Sequence, residues 1–164
     1  MNNNKLNFYG IGPKIARIML PWMVLTIVIS LIFRNSFVFF SPASRILNIT
    51  GLIFIVTGFA LYFSTLPLLL RGIKETRLVT NGAFKVCANP LYASILLFIL
   101  PGTSFLMNSW LVLTVSVVGY ILFRIHIKDE YREMEKIFGE EYVRYKKNTP
   151  EFFPFPVFKK ASKN

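Results

Sequence analysis

The sequence NGAFKVCANPLYAS, residues 81–94, interrupts a strongly apolar chain with Gly, Asn, Pro and Tyr at close spacing. Asn89 followed by Pro90 predicts a helix start, because Asn caps free backbone N–H groups and Pro has no N–H to satisfy at the first helical position. On these residues alone, Gly82 is a turn and Tyr92 is an aromatic residue at a membrane interface. The residues on either side decide what kind of helix begins here.

Long runs without charge surround this helix start. Residues 46–70 and 86–123 contain no Asp, Glu, Lys or Arg, and 54% of the 164 residues are hydrophobic while only 16% are charged. Soluble domains carry about 25% charged residues. As one helix the second run would be roughly 57 Å long, nearly twice the hydrocarbon thickness of a bilayer, so it must fold back. The helix breakers Pro, Gly, Asn and Ser lie in PGTSFLMNS, residues 101–109.

We therefore predict an all-α, polytopic membrane protein that forms a single membrane domain over residues 1–164. It has about four transmembrane helices, at residues 15–33, 46–70, 90–107 and 109–127. The last two form a helical hairpin. A cytoplasmic tail, residues 128–156, follows the fourth span.

The tail is expected to begin with an amphipathic helix that continues the last span without a break. Apolar or aromatic residues recur at helical spacing, at Ile127, Tyr131, Met134, Phe138, Tyr142 and Tyr145. Gly139 is expected to end or bend this helix, with a short second helix after it.

Basic residues share one side of this topology. The formal net charge is +11, and with four spans all Lys and Arg except Arg34 and Arg45 lie on the side of both termini. This excess predicts cytoplasmic termini. Contact with anionic lipid headgroups explains these residues better than nucleic-acid binding, since no nucleic-acid motif is present. The first apolar segment is interpreted as a retained span, and an inner or plasma membrane is favoured over the endoplasmic reticulum.

Residues suited to a charged ligand are expected to meet at the cytoplasmic interface. The helix start at Pro90 offers N–H groups and a positive dipole end to an anion. Seven of the eight acidic residues lie from Asp129 to Glu151, in the tail on the same side. Among them Glu130 falls near the bilayer surface, with His126 one turn before it. A single Cys and a single His exclude a disulfide framework and a metal cluster of these residues, and no metal is expected.

Two segments carry a recognisable pattern. In LVTNGAFKVCANPLYAS the matching positions are Leu78, Gly82, Phe84, Asn89, Pro90 and Tyr92. In the tail they are Glu130, Met134, Phe138, Gly139, Tyr142 and Tyr145, followed by Thr149, Pro150 and Pro154. Together, over residues 71–156, they resemble the superfamily of isoprenylcysteine carboxyl methyltransferases and phospholipid methyltransferases.

The resemblance implies an integral membrane enzyme that moves a methyl group from S-adenosylmethionine to a lipid-borne acceptor. This acceptor would be either the carboxylate of a prenylcysteine-like group or the amine of a phospholipid. It also implies a cytoplasm-facing cofactor pocket that the hairpin forms and the tail, residues 128–156, completes. The cofactor-binding residues that it implies are Leu78, Gly82, Phe84, Asn89, Pro90, Tyr92, Glu130, Tyr142 and Tyr145. No catalytic nucleophile is assigned, and alignment by Asn89 and Glu130 would provide most of the effect.

Three positions depart from the carboxyl methyltransferase pattern. Ala88 stands in place of an Arg, Tyr131 in place of a second Glu, and Asn148 in place of a basic residue. Because an Arg fork is the natural reader of a carboxylate, the choice between O- and N-methylation stays open. The alternative is a non-catalytic four-span scaffold or subunit that does not bind S-adenosylmethionine. A small transporter is disfavoured because no span carries a central charged residue. The sequence does not indicate an oligomeric state.

Overall fold

Four helices contain most of the residues that the structure describes. The structure, a computed structural model, describes residues 10–40 and 45–152. Its helices are α1 (Gly12–Ile32), α2 (Arg45–Glu75), α3 (Pro90–Leu106) and α4 (Trp110–Asn148). Helix α2 packs on α3, α3 on α4, and α4 on α1. The predicted all-α class is confirmed.

The helices of this bundle have the length and the apolar outer surface of membrane-spanning helices. Helices α1, α2 and α4 are long and apolar enough to cross a membrane, and α3 is a shorter apolar helix that rises about 25 Å. Their outer faces expose large side chains, including Leu31, Ile32 and Ile46 at 63%, 68% and 76%. Apolar surface on this scale is rare in soluble monomers. The predicted polytopic membrane protein is confirmed, while the bounds of the four spans within a bilayer stay a prediction.

Glycines bring α2 and α3 into close contact. A Cβ atom added to Gly102 would lie 2.8 Å from Ile55 Cγ1 and 2.9 Å from the carbonyl oxygen of Gly51. Gly58 is equally tight, with an added Cβ 2.7 Å from Ile99 Cγ1. Small residues of this kind let helix backbones approach within a membrane. The contact places the start of α3 beside the C-terminal end of α2.

Helix α3 begins and ends close to its predicted bounds, residues 90–107. Pro90 occupies the first turn, as predicted. Pro101 and Gly102 lie inside the helix, which ends at Leu106, close to the predicted end at residue 107. A π-helical stretch, Ser94–Ile99, lies one residue before Pro101, and such local adjustments accommodate proline in membrane helices. The turn comes later, at Asn108, whose φ is +48°.

Helix α4 runs from the bundle into the tail without a break, as predicted. At Gly139 the backbone leaves helical geometry, with φ +55° and ψ −133°, and the helix then continues to its end. The bend predicted at this glycine is therefore confirmed. The tail is described as far as Phe152, and Pro154 lies outside the described residues.

Candidate functional site

A cavity of about 360 Å³ lies where α2 ends, α3 begins and α4 leaves the bundle. This volume falls in the range of roughly 300–1,000 Å³ that is typical of small-molecule sites. Eight of the nine residues predicted to bind a cofactor line it, namely Leu78, Phe84, Asn89, Pro90, Tyr92, Glu130, Tyr142 and Tyr145. The structure thus brings the start of α3 and the acidic tail together around one space.

Glu130 is held by two donors on one side of its carboxylate. Its Oε2 accepts hydrogen bonds from the Tyr92 hydroxyl and from the backbone N–H of Ile11, each at 3.2 Å. No described residue donates a hydrogen bond to Oε1. Burial raises the pKa of Glu130, the two hydrogen bonds lower it, and the Glu133 carboxylate raises it further. A ligand cation at Oε1 would favour the ionised carboxylate.

The Asn89 side chain faces the tail rather than its own helix. The prediction that it caps α3 is wrong, since the side chain makes no cap hydrogen bond. Its Nδ2 donates instead to the Tyr131 hydroxyl at 2.7 Å and to the Glu151 carbonyl at 3.1 Å. Both N–H donors of the amide are therefore used within the protein, and Oδ1 is the atom that remains for a ligand.

Residues 150–152, here called the tail clasp, hold the tail against the start of α3. The backbone N–H of Ala88 donates to the Pro150 carbonyl at 2.8 Å. The Tyr131 hydroxyl donates to Glu151 Oε1 at 2.9 Å. Phe152 is buried, with its ring centroid 4.6 Å from that of Phe123 in the core. The clasp therefore fixes one wall of the cavity through backbone, polar and apolar contacts together.

The bend at Gly139 returns the end of α4 to the cavity. The Tyr145 hydroxyl donates to the carbonyl of Phe84 at 2.7 Å, and Tyr142 is buried. Burial is the largest effect that raises the pKa of both tyrosines, so both stay neutral across the physiological range. Gly139 has no atoms within 4 Å of an added Cβ, so its left-handed φ rather than crowding explains the glycine.

Gly82 is the predicted site residue that the structure places off the cavity. Its φ is +59°, and an added Cβ would lie 2.6 Å from Leu68 Cδ1. It begins a short 3₁₀ turn, Gly82–Lys85, whose Phe84 reaches the cavity. The turn role is thus supported by the backbone, and direct contact with a cofactor stays a prediction.

The segment before α1 is a part of the site that sequence reasoning missed. Gly10 lines the cavity with a φ of +47°, and an added Cβ would lie 3.0 Å from Glu130 Oε2. Ile11 is 3% exposed and reaches the carboxylate through its backbone N–H. A backbone hydrogen bond does not depend on residue type, so Gly10 was the only residue in this segment that could have indicated the contact from the sequence.

Helix α2 contributes an apolar wall that was also missed. Tyr62, Leu66 and Leu69 line the cavity on one face of this helix, at spacings of four and three residues. The helical spacing was a usable signal, but a uniformly apolar span gives no reason to prefer one face. The cavity thus extends from the polar tail into the part of α2 that was predicted to lie in the membrane.

The cavity also holds opposite charges. Among its described lining residues, Glu130 and Glu133 are the acids and Arg77 is the one Lys or Arg. Neither Glu133 nor Arg77 was predicted as a site residue, because both stand beside the matched motif positions. With all three ionised, the lining carries a net charge of −1, which favours a ligand of net positive charge.

The three departures from the motif have different surroundings. Ala88 and Tyr131 line the cavity, whereas Asn148 is exposed at the end of α4. The Lys146 ammonium lies over the Tyr131 ring at 3.5 Å from its centroid, a cation–π contact. His126 does not line the cavity, although the helical spacing placed it one turn from Glu130.

Comparison with known proteins gives one result. A family model described as phospholipid methyltransferase matches residues 43–141, more than half of the chain. No curated protein and no solved structure matches at a significant level. The matched segment includes α2, α3 and Glu130, while Tyr142, Tyr145 and the tail clasp lie beyond it.

Proposed function

Because the chain belongs to the phospholipid methyltransferase family, we propose that it transfers a methyl group from S-adenosylmethionine to a lipid-borne acceptor. One observation carries the proposal beyond the family match. A single cavity joins the half-buried carboxylate of Glu130 to an apolar wall of α2 that reaches Tyr62. Such a cavity suits a small charged cofactor at one end and an acceptor that arrives from the membrane at the other.

The residues present fit S-adenosylmethionine. This cofactor carries a sulfonium, an ammonium and a carboxylate, so its net charge of about +1 complements the net negative lining. Tyrosine rings from α3 and α4 offer faces to a sulfonium or an adenine ring. Glu130 Oε1 and Asn89 Oδ1 are acceptors suited to an ammonium or to ribose hydroxyls.

When bound, S-adenosylmethionine supplies a methyl group that is already activated by its positively charged sulfur. The chain then needs to align acceptor and cofactor rather than to provide a nucleophile. Glu130, fixed by two hydrogen bonds, and Asn89, fixed by the tail, orient the polar end. Tyr142 and Tyr145 exclude water from the other side of the cavity.

The acceptor is proposed to enter along α2. From Ile73 to Tyr62 the helix rises about 16 Å, so the lining face extends well into the apolar part of the span. A lipid-borne group sliding along this face needs no passage through water. Both acceptor chemistries, a carboxylate and a phospholipid amine, remain within the proposal.

The topology is part of the same proposal. Both termini and the cavity mouth face the cytoplasm of an inner or plasma membrane, where the basic residues contact anionic headgroups. Single cysteines placed at Asn35 and at Lys147 in a Cys87→Ser background test it. A membrane-impermeant maleimide applied from outside intact cells should label only the first. Labelling only of the cysteine at position 147 would show that the chain has the opposite orientation.

Transfer of label tests the activity directly. The purified chain is incubated with methyl-labelled S-adenosylmethionine and a total membrane lipid extract, and the organic phase is counted. We expect label in lipid, released as methanol by mild base if the acceptor is a carboxylate and retained if it is an amine. Absence of label together with absence of S-adenosylhomocysteine binding would contradict the proposal and favour the scaffold.

A further inference from the structure

The turn that ends α2 fixes the backbone of Arg77, a residue that lines the cavity. The Arg77 N–H donates to the Gly72 carbonyl at 2.9 Å, and the Thr76 N–H donates to the Ile73 carbonyl at 3.3 Å. This pair of bonds is a Schellman motif, in which the residue before the last donor adopts a left-handed conformation. That residue is Thr76, with a φ of +48°.

A threonine is unusual at this position. Glycine ordinarily fills it, and a β-branched residue with positive φ is a true outlier. Such strain is retained where the surroundings determine the backbone strongly, and it concentrates at functional sites. Here the surroundings are tight, because Val79 Cγ2 occupies the space of a Cβ at Gly72 and Leu78 is buried. Arg77 is therefore set by a packed turn rather than by a loose loop.

The guanidinium is available to a second carboxylate. Its present partner is Glu75 at 3.4 Å, and both side chains are more than half exposed, at 65% and 55%. Exposed pairs of this kind contribute little to stability. A guanidinium has five N–H donors in a planar fork, so it binds a further carboxylate without losing the first.

We propose that Arg77 is a carboxylate-binding residue of the cavity, an inference that rests on the proposed function. It provides the only described positive charge in the lining, whereas α4 supplies Glu130 and Glu133. Ala88, which also lines the cavity, carries no charge. The ammonium and the carboxylate would thus bind at different walls of the cavity, whether they belong to one ligand or to two. The carboxylate belongs either to the amino-acid part of the cofactor or to the acceptor.

Two nucleosides distinguish these sources. Calorimetry on the full chain in detergent compares S-adenosylhomocysteine with 5′-methylthioadenosine, which lacks the amino-acid group. The variants are Arg77→Gln and a matched control, Arg71→Gln, which removes an exposed charge nearby that does not line the cavity. The rate of label transfer at varied lipid concentration is measured on the same preparations.

Loss of one charge-assisted hydrogen bond weakens binding by about tenfold or more, and the exposure of the Arg77 side chain places the expected effect at this lower end. If the cofactor carboxylate is bound, Arg77→Gln weakens S-adenosylhomocysteine by about this factor and leaves 5′-methylthioadenosine unchanged. If the acceptor carboxylate is bound, both nucleosides bind normally and the lipid concentration for half-maximal rate rises about tenfold. Arg77→Lys should recover part of either loss, because it keeps the charge without the fork.

Two results overturn the inference while leaving the proposed function standing. One is that Arg77→Gln matches Arg71→Gln in both binding and rate. The other is an equal loss of both nucleosides, which would assign Arg77 to the shared adenosine part. Failure of the unsubstituted chain to bind S-adenosylhomocysteine has a different signature and overturns the proposed function itself, together with this inference.

Discussion

Replacing Glu130 by glutamine removes the charge of the cavity's best-fixed acid and keeps its shape. The glutamine carbonyl oxygen has two lone pairs, so it can accept from both donors that now bind Oε2, the Tyr92 hydroxyl and the Ile11 N–H. The amide NH₂ then faces the cavity where Oε1 stands. A cationic ligand group would meet a donor instead of an acceptor there.

The magnitude follows from these contacts. A hydrogen bond to a charged group contributes about 1.5–3 kcal/mol, which corresponds to roughly 10- to 150-fold in affinity. We expect Glu130→Gln to weaken S-adenosylhomocysteine binding within that range. The fold should be unharmed or slightly stabilised, because burial already disfavours the charged carboxylate, as its raised pKa indicates.

Calorimetry and thermal unfolding on the same detergent preparation separate the two effects. Glu135→Gln is the matched control, since it removes an exposed acid on the same helix that does not line the cavity. An affinity for Glu130→Gln within twofold of this control, at an unchanged unfolding temperature, would refute the role given to the carboxylate.

Three further predictions concern pH, the tail clasp and helix packing. The pKa of Glu130 is raised in the folded chain above its ordinary value of 4.5, so the affinity for a cationic ligand should rise as the pH rises through this raised pKa. The free energy of unfolding should fall over the same pH window, because the folded chain binds the proton more tightly than the unfolded chain. An equally steep pH profile in Glu130→Gln would refute this. Tyr131→Phe deprives Glu151 of its 2.9 Å hydrogen bond and should cost about 1–2 kcal/mol, lowering the unfolding temperature by about 2–4 °C per kcal/mol. Gly102→Ala should cost about 1–3 kcal/mol by chemical unfolding, whereas Gly12→Ala, with no atoms within 4 Å of the new methyl group, should be neutral or stabilising.

The sequence predicted the parts of the fold that depend on local chemistry. The fold back of the second apolar run followed from its length, the start of α3 from Pro90, and the bend in α4 from Gly139. The helical spacing and the family motif together predicted that Glu130 and Tyr92 share a site, and their side chains are hydrogen-bonded.

Contacts between distant segments could not be predicted in this way. Ile11 reaches Glu130 through a backbone N–H, which no residue type signals. Asn89 was assigned to its own helix because capping is the commonest use of Asn at that position, but the tail offers its amide two acceptors. Arg77 was counted only as a topological charge, since the predicted topology placed the end of α2 and the acidic tail on one side of the membrane without placing Arg77 in their shared cavity.

Binding of S-adenosylhomocysteine to the unsubstituted chain tests the central claim most directly. The protein in detergent is titrated by calorimetry, with adenosine as the reference ligand. We expect one saturable site per chain with a dissociation constant between about 1 μM and 1 mM, the range of enzyme substrate constants, and weaker binding of adenosine. Heats equal to those of dilution up to about 1 mM S-adenosylhomocysteine would mean that the cavity does not bind S-adenosylmethionine as a cofactor.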